Sequence, residues 1–483
     1  MRLDALAAGY NVAGDVGDAR VTGCAIDHRK VAPGTVFGAF RGLAHDGEGF
    51  IAQAVAAGAI AVVARPEATV LAPAVHIVDA EPRRAFAQLA ARFFAPFPEA
   101  VVAVTGTNGK TSCVELTRQL WRMAGLKAAS IGTLGVTTTD GEGDAQAVPT
   151  GLTTPDIVTF LSNMAGLARE GVGHAAFEAS SHGLAQFRTE GLPVAAAAFT
   201  NLSRDHLDYH GTMEAYLEAK LRLFSEVVAA DGAAVVWADD DASSRVIEIA
   251  AERGLRLLSV GERGETLRLV SREPTQLGQT LTVEAEGVTH IVKMPLIGAY
   301  QAANALVAAG LAIATGGGVA DVLGRLARVQ PVRGRLERAV ITAAGAPVYV
   351  DYAHTPDGLR AACEALRPHT AARLIAVFGA GGDRDSGKRP DMGAVAASLA
   401  DLCIVTDDNP RSEEPAAIRA AILAAAPHAR EVGDRYAAIA AAVAEAGQGD
   451  VVLVAGKGHE TGQIVGDRVL PFDDVAVARE VAA

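Results

Sequence analysis

Residues 101–125 read VVAVTGTNGKTSCVELTRQLWRMAG, and the fold follows from how that stretch is read. Val101, Val102 and Val104 make a short apolar run suited to a buried strand. Leu116, Leu120 and Met123 then recur at helical spacing until Gly125 offers a C-terminal cap. Between strand and helix lie Gly106, Thr107, Asn108, Gly109, Lys110, Thr111 and Ser112. Such a turn cradles phosphate: backbone N–H groups point inward, the helix N-terminus carries about half a positive charge, and a lysine reaches the outer phosphates. The Thr111 hydroxyl, directly after Lys110, suits Mg²⁺. The common spacing G-x-x-x-x-G-K-[ST] asks for glycine where Val104 stands, so an ordinary strand-to-helix turn containing Gly-Lys is the plain alternative.

With 483 residues the chain should form about two to four domains, each with its own core. Half of it is apolar but only 5% is aromatic, so those cores are built mainly from Ala, Val and Leu. A net charge of −13 argues against general nucleic-acid binding and against an anionic membrane surface. Polyanionic substrates must then be met by local positive groups. Cys24, Cys113, Cys363 and Cys403 are scattered without a C-x-x-C pair, as in a reducing compartment. Asp4 falls where a signal peptide needs apolar residues, and the apolar run 305–314 is short of the roughly 20 residues that span a bilayer. A cytoplasmic protein acting as a monomer is expected.

The chain reads as α/β throughout, in three domains. Residues 1–97 form a small α/β unit, with strands near 21–26, 35–40 and 59–64. Pro96 and Pro98 punctuate a linker, and 98–331 alternates strands and helices around a parallel or mixed sheet, with strands at 175–177, 195–199 and 233–237. After Pro331, the segment 332–483 reads as a doubly wound, Rossmann-like domain with strands at 348–350, 374–378, 402–405 and 451–454. Ligands of such a domain lie beyond the carboxyl ends of its strands.

The densest polar constellation follows the phosphate loop. One strand ends in Glu178-Ala-Ser-Ser-His182, and another leads into Asn201-Leu-Ser-Arg-Asp-His206. A carboxylate and an imidazole at neighbouring strand ends can hold a hard cation with its waters, or simply form a polar loop network. Lys220 shares a helical stripe with Met213, Tyr216, Leu217 and Phe224, on a helix capped by Thr212. Its ammonium either snorkels to water or is desolvated into a nucleophilic amine, which could take up CO₂ as a metal-binding carbamate.

TGTNGKTS, EASSHGLAQFR, TNLSRDHLDYHGTMEAYLEAK, VRGRLE, DYAHTPDGL, FGAGGDRDSGKRPDMG, DDNPRSEEP and GKGHE occur in that order. Together they resemble the Mur ligase family of ATP-dependent amide-forming enzymes. The resemblance implies that 1–97 binds a UDP-linked substrate, 98–331 binds ATP and 332–483 binds the incoming amino acid. It implies ATP phosphates on Gly106–Ser112, with Lys110, Glu178, His206 and Lys220 catalytic. Two Mg²⁺ are implied, one on Thr111 and Glu178, the other on Glu178, His206 and carbamylated Lys220. Asn304 would contact adenine, while Arg335 and Asp351 would reach phosphate and ribose. The acceptor implied is UDP-N-acetylmuramoyl-L-alanyl-D-glutamate. Its peptide would lie on Thr153, Thr154, Ser180, Gln186 and Arg188, and its uridine near Ile26, His28 and Leu43-Ala44-His45.

Asp408-Asn409-Pro410-Arg411 decides the amino acid. As chemistry alone it could be a helix cap and turn. By resemblance it marks acceptance of meso-diaminopimelate, whose extra carboxylate Arg411 can pair bidentately. Arg384, Gly456 and Glu460 match the other diaminopimelate contacts. Two positions depart from the family's common pattern: His28 stands where Ser is common, and Gln301 where Asn is common. Lysine as the added amino acid, a phosphate-loop NTPase or kinase, and a noncatalytic nucleotide-binding module are the alternatives.

Overall fold

The computed structural model describes residues 1–42, 46–138, 146–148, 152–275 and 278–483. Among them, strands from 11–78 make a five-stranded sheet, strands from 100–294 an eleven-stranded sheet, and strands from 337–455 a six-stranded sheet. The middle of the large sheet is parallel. Strand Ala100–Thr105, all Ala, Val and Thr, pairs with Val194–Phe199 on one side and His174–Glu178 on the other. Both faces are covered, which is why these strands read as unbroken apolar runs rather than alternating ones.

That order has one consequence for chemistry. The carboxyl ends of three adjacent strands open onto the loop before helix Lys110–Met123, onto Glu178 and onto Thr200. The six-stranded sheet repeats the device. Its neighbouring parallel strands Pro347–Asp351, Val451–Ala455, Leu374–Phe378 and Leu402–Val405 end at Asp351, Gly456, Gly379 and Thr406. Motifs far apart in sequence are thereby gathered at two facing rims.

The sheets also carry antiparallel additions that periodicity had not revealed. Leu267–Thr275, Gly278–Ala285 and Val288–Met294 form a meander at one edge of the large sheet, and a hairpin, Gly462–Val465 with Arg468–Pro471, stands beside the third sheet. Alternating burial in the meander marks a sheet edge with one wet face.

The two joints between sheets differ. Helix Pro82–Phe94 packs Phe86 and Leu89 into the same apolar cluster as Phe160, Leu161 and Met164, so the first sheet and the central sheet share one core. The third sheet has apolar clusters of its own, which Ile297 and Tyr300 join from the central segment. Polar contacts also cross this second joint. Gln301 donates to the Arg335 carbonyl at 2.9 Å, and Arg335 donates to the Thr111 hydroxyl at 3.1 Å. Gln301, which departs from the family's common Asn, therefore steadies the arginine that reaches the phosphate loop.

Inside the last segment, Arg435 and Asp474 form an ion pair with no solvent exposure, 2.7 Å apart, and Arg435 also donates to the Ala455 carbonyl. Removing one member strands the other charge in the core, at a cost of about 3–5 kcal/mol. Arg435→Met should therefore lower the urea midpoint of the last domain strongly. Arg435→Met combined with Asp474→Leu should recover most of the loss. Equal loss in both variants would contradict the assignment of the cost to a stranded charge.

Candidate active site

The phosphate loop is shaped by two glycines. Gly106 and Gly109 both have positive φ, and a Cβ on either would overlap the Thr200 hydroxyl or the Asn304 side chain. The loop is then pinned from the neighbouring strand. Thr107 N–H donates to the Asn201 carbonyl at 2.9 Å, and the Thr200 hydroxyl donates to the Asn108 carbonyl at 2.6 Å. Lys110, at the first position of the helix, donates to the carbonyls of Gly106 and Thr107 at 3.0 and 2.8 Å. Burial lowers its pKa, while Glu178 and Asp205 favour its charged form.

A cleft of about 480 Å³ opens in front of this loop, lined by residues 107–112, Thr133, Thr153, Glu178, His206 and Asn304 from the central segment. Arg335, Asp351, Tyr352 and His354 close it from the other side. Glu178 is buried, its carboxylate accepting from Thr133 N–H at 2.7 Å and from the Thr133 hydroxyl at 3.2 Å. His206 sits in left-handed backbone at φ 53°, its Nε2 3.4 Å from the Asp205 carboxylate. Burial, with Lys110 and Lys220 nearby, lowers the imidazole pKa. Asp351 accepts from Leu336 N–H at 2.6 Å and from the Tyr300 hydroxyl at 3.3 Å. Arg335 stacks over the Tyr352 ring at 4.5 Å.

Lys220 stands apart from the other expected metal ligands. It is 1% exposed, lies behind the loop rather than lining the cleft, and donates to the Gly106 carbonyl at 2.8 Å. Burial above all, and then Lys110, push its pKa well below the usual lysine value. Of the two sequence alternatives, snorkelling is excluded. Thr111, Glu178 and His206 share the cleft. Among the described residues no group of three or more His, Cys, Asp or Glu closes around a point. An open, oxygen-bearing set of this kind fits Mg²⁺, which keeps several waters and takes its remaining ligands from phosphate.

The expected peptide residues form one hydrogen-bonded chain beside Glu178. Thr153 and Thr133 hydroxyls are 3.2 Å apart, and the Thr154 hydroxyl lies 2.7 Å from the Glu178 carbonyl and 3.0 Å from Ser180 Oγ. Arg188 donates to the Thr154 carbonyl at 2.8 Å and to Gln186 at 2.6 Å. Ile26 and His28 lie elsewhere, at the first sheet, where His28 stacks flat on Phe50 with centroids 4.4 Å apart. Leu43, Ala44 and His45 fall outside the described residues.

The amino-acid residues expected near Arg411 are also brought together. Asn409 donates to Glu460 at 2.8 Å, and a Cβ at Gly456 would overlap the Asp408 carboxylate. Arg411, at φ 53°, donates to the Gly382 and Asn409 carbonyls, and Pro410 precedes it on the same turn. Arg384 is exposed on the adjoining loop. Sequence reading missed Lys457, which is wholly buried and donates to both Asn409 (3.0 Å) and Glu460 (2.9 Å). It also missed Tyr300, Tyr352 and His354. The latter two lie inside DYAHTP and could have been found there, whereas nothing in the helical pattern around Tyr300 signals a cleft residue.

Family models agree with this geometry along the chain: "Mur ligase family, catalytic domain" over 20–94, "Mur ligase middle domain" over 104–312, and "Mur ligase, glutamate ligase domain" over 334–458. The chain belongs to the Mur ligase family. Among curated relatives, the UDP-N-acetylmuramoyl-L-alanyl-D-glutamate--2,6-diaminopimelate ligase of Zymomonas mobilis is 58% identical, covering 99% of this chain and 98% of that one. Its counterpart from Caulobacter vibrioides is 56% identical over 95% of each. A solved ligase of the same description matches with TM-score 0.74 at 31% identity, over 100% of this chain and 98% of the other. Folylpolyglutamate synthase of Mycobacterium tuberculosis, solved with ADP, shares the Mur ligase fold at TM-score 0.64 and 18% identity, over 83% of this chain and 93% of its own.

Burial raises the Asp351 carboxyl from 3.8 to about 6, against the opposing pull of Arg335. Between those values the folded state holds a proton that the unfolded state has lost, so stability falls as pH rises through the window. Asp351→Asn should abolish that fall, a difference on the order of 2–3 kcal/mol. Unfolding free energies of both proteins across this range, without nucleotide, test it; parallel curves would refute the raised carboxyl.

Proposed function

We propose that this protein joins meso-diaminopimelate to UDP-N-acetylmuramoyl-L-alanyl-D-glutamate at the expense of ATP, in cytoplasmic peptidoglycan precursor synthesis. The observation that carries the reading is the pocket around Arg411. Among the described residues neither Arg384 nor Arg411 has a carboxylate within ion-pair distance, while Glu460 is held nearby by Lys457 and Asn409. Unpaired guanidinium beside an ordered carboxylate suits a zwitterion with one carboxylate more than lysine. Identity of 47–58% to curated ligases named for 2,6-diaminopimelate supports the same choice.

In this reading the three domains take the roles their rims suggest: 1–97 the UDP end, 98–331 ATP and the peptide, 332–483 the amino acid. ATP phosphates rest on Gly106–Ser112, adenine beside Asn304, and ribose and phosphate against Asp351 and Arg335. Thr154, Ser180 and Arg188 hold the peptide so that a carboxylate oxygen attacks the γ-phosphorus. The bond to ADP breaks with its electron pair, leaving an acyl phosphate. The amine of diaminopimelate attacks the acyl carbon, inorganic phosphate departs, and the amine loses a proton to give the amide. Mg²⁺ on Thr111, Glu178, His206 and carbamylated Lys220 would supply charge neutralisation. Lys110 and Arg335 add to it. One pair of unit charges 4 Å apart at an effective dielectric of 20 is worth about 4 kcal/mol, so an unscreened carboxylate would be repelled strongly from the triphosphate. The polar joint at Arg335 allows the last domain to swing over bound substrates, which keeps water from the acyl phosphate.

Supplying ATP and the nucleotide-peptide with diaminopimelate should yield one product of the summed mass less water. L-lysine in its place should give little. Preference for lysine would move the protein to the lysine-adding branch, and full-speed ATP consumption without any amine would indicate an NTPase.

Lys220→Ala should abolish turnover while ATP still binds, and short carboxylic acids such as formate or acetate should restore a measurable fraction. An alanine variant with normal rates would remove the carbamate from the account.

A further inference from the structure

We propose that Arg83 is a binding residue for the diphosphate of the nucleotide-sugar substrate, an assignment that rests on the function proposed above. Arg83 is the second residue of helix Pro82–Phe94 and is half-buried. Its guanidinium lies 5.1 Å from the Phe40 ring centroid and donates to the Arg41 carbonyl at 3.0 Å. Among the described residues no carboxylate comes within ion-pair distance of it. The next residue is used in the opposite way. Arg84 faces Glu190 at 3.7 Å and Glu226 at 3.4 Å, and Arg222 completes that network from the central segment at 3.0 Å from Glu190. One arginine fastens two domains together; its neighbour is left without a counter-ion.

A second unpaired guanidinium belongs to the same gap. Arg188 donates only to the Thr154 carbonyl and the Gln186 amide oxygen, and burial lowers the pKa of both arginines. Tyr209 acts electrostatically on each of them, and Arg83 acts on Arg188, so the two cations border one space between the first and central sheets. Tyr209 itself receives a hydrogen bond from Gln186 at 3.2 Å. Asp156 acts on Arg188 from beyond ion-pair distance, so in a chain carrying 56 acidic residues against 43 basic ones two half-buried guanidiniums without a direct ion-pair partner among the described residues are poised for an anion from outside.

The order of groups along the substrate says which anion meets Arg83. Uridine belongs at the Ile26–His28 end of the first domain and the peptide at Thr154 and Arg188. What joins them is a diphosphate followed by the sugar. Arg83 belongs to the first domain yet acts electrostatically on Arg188, which fits a place on the path of the diphosphate between the two ends. A guanidinium backed by an aromatic ring and a backbone carbonyl retains donors for two phosphate oxygens.

The test is steady-state kinetics of Arg83→Gln and Arg83→Lys, with UDP as competitor against the nucleotide-sugar. A charge-assisted contact of this kind corresponds to roughly a tenfold or larger change. Arg83→Gln should raise KM for the nucleotide-sugar by about that factor, raise the inhibition constant of UDP equally, and leave KM for ATP and diaminopimelate unchanged. Arg83→Lys should recover part of both losses. A raised KM with unaltered UDP inhibition, including no inhibition of either protein, would mean that Arg83 meets sugar or peptide carboxylate instead, and would overturn the assignment. So would an unchanged KM. Wild-type protein that forms no amide would sink the ligase reading itself, whereas an active ligase indifferent to Arg83 sinks only this residue's role.

Discussion

Two ammonium groups meet on one carbonyl oxygen. Lys110 and Lys220 both donate to the Gly106 carbonyl, at 3.0 and 2.8 Å; Lys220 is removed from water and Lys110 is half-buried. The adjoining helix N-terminus adds further positive potential. Like charges this close in a poorly solvated place are unfavourable, and part of the cost is met by depressing the pKa of Lys220. What remains is the positive potential of Lys110 and the helix N-terminus in a chain whose overall charge is −13. That field is local by construction, because it depends on Ala100–Thr105 lying between the strands that deliver Thr200 and Glu178. A polyanion is attracted to the loop although the molecule as a whole repels it. Conversion of Lys220 to a carbamate would turn one of the two competing cations into an anion, which relieves the repulsion on Gly106 and gives a reason for the lysine's burial.

The joints between domains follow from what each must do. The first sheet shares an apolar cluster with the central one, reinforced by Arg84, Glu190 and Arg222. Burial raises the Glu190 carboxyl and the two guanidiniums pull it back down, so the clamp is held by opposing effects of similar kind. In the proposed function a nucleotide-sugar stretched from Ile26 to Arg188 would need both ends at a fixed separation, and a shared core suits that need. The third sheet meets the central one through Arg335, Gln301, Tyr300 and Asp351. Polar contacts exchange with water at modest net cost, whereas an apolar core does not. The joint to the third sheet, with a smaller apolar share, is therefore the one that fits the domain swing proposed above.

Much of this was legible in the sequence where one strand or helix is enough to specify the answer. The runs 59–64, 374–378 and 402–405 are strands with those same limits, and Thr212 caps the Lys220 helix through Ala215 N–H. Thr154, Ser180 and Arg188, expected by resemblance to hold the peptide, lie together in one hydrogen-bonded group. Whatever depends on packing between distant segments was not legible. The edge meander at 267–294 alternates in burial, but its strands lack the continuous apolar signal of the buried ones. Lys457 reads as a surface lysine between two glycines, and only the facing loop of Asn409 and Glu460 turns it into a buried tie. Lys220 looked able to snorkel because helical spacing does not say that the Gly106 carbonyl waits above it.

The same facing loop explains why an amide is needed at position 409. Asn409 Oδ1 accepts from the Lys457 ammonium and from Ile464 N–H at 2.9 Å, so two donors fix which end of the amide faces them. Its Nδ2 is left to donate to Glu460. An aspartate there would set two carboxylates against each other, and a leucine would leave both Lys457 and Ile464 N–H short of an acceptor. One Glu460 oxygen accepts from both Lys457 and Asn409; in the proposed function its other oxygen would meet an incoming ammonium. Arg411, bound through Ile464 to the same hairpin, is held at a fixed offset from that carboxylate. The offset between a cation and an anion is thus set by backbone contacts, and in the proposed function that spacing would distinguish a long zwitterion with a carboxylate at its far end from one that ends in an amine.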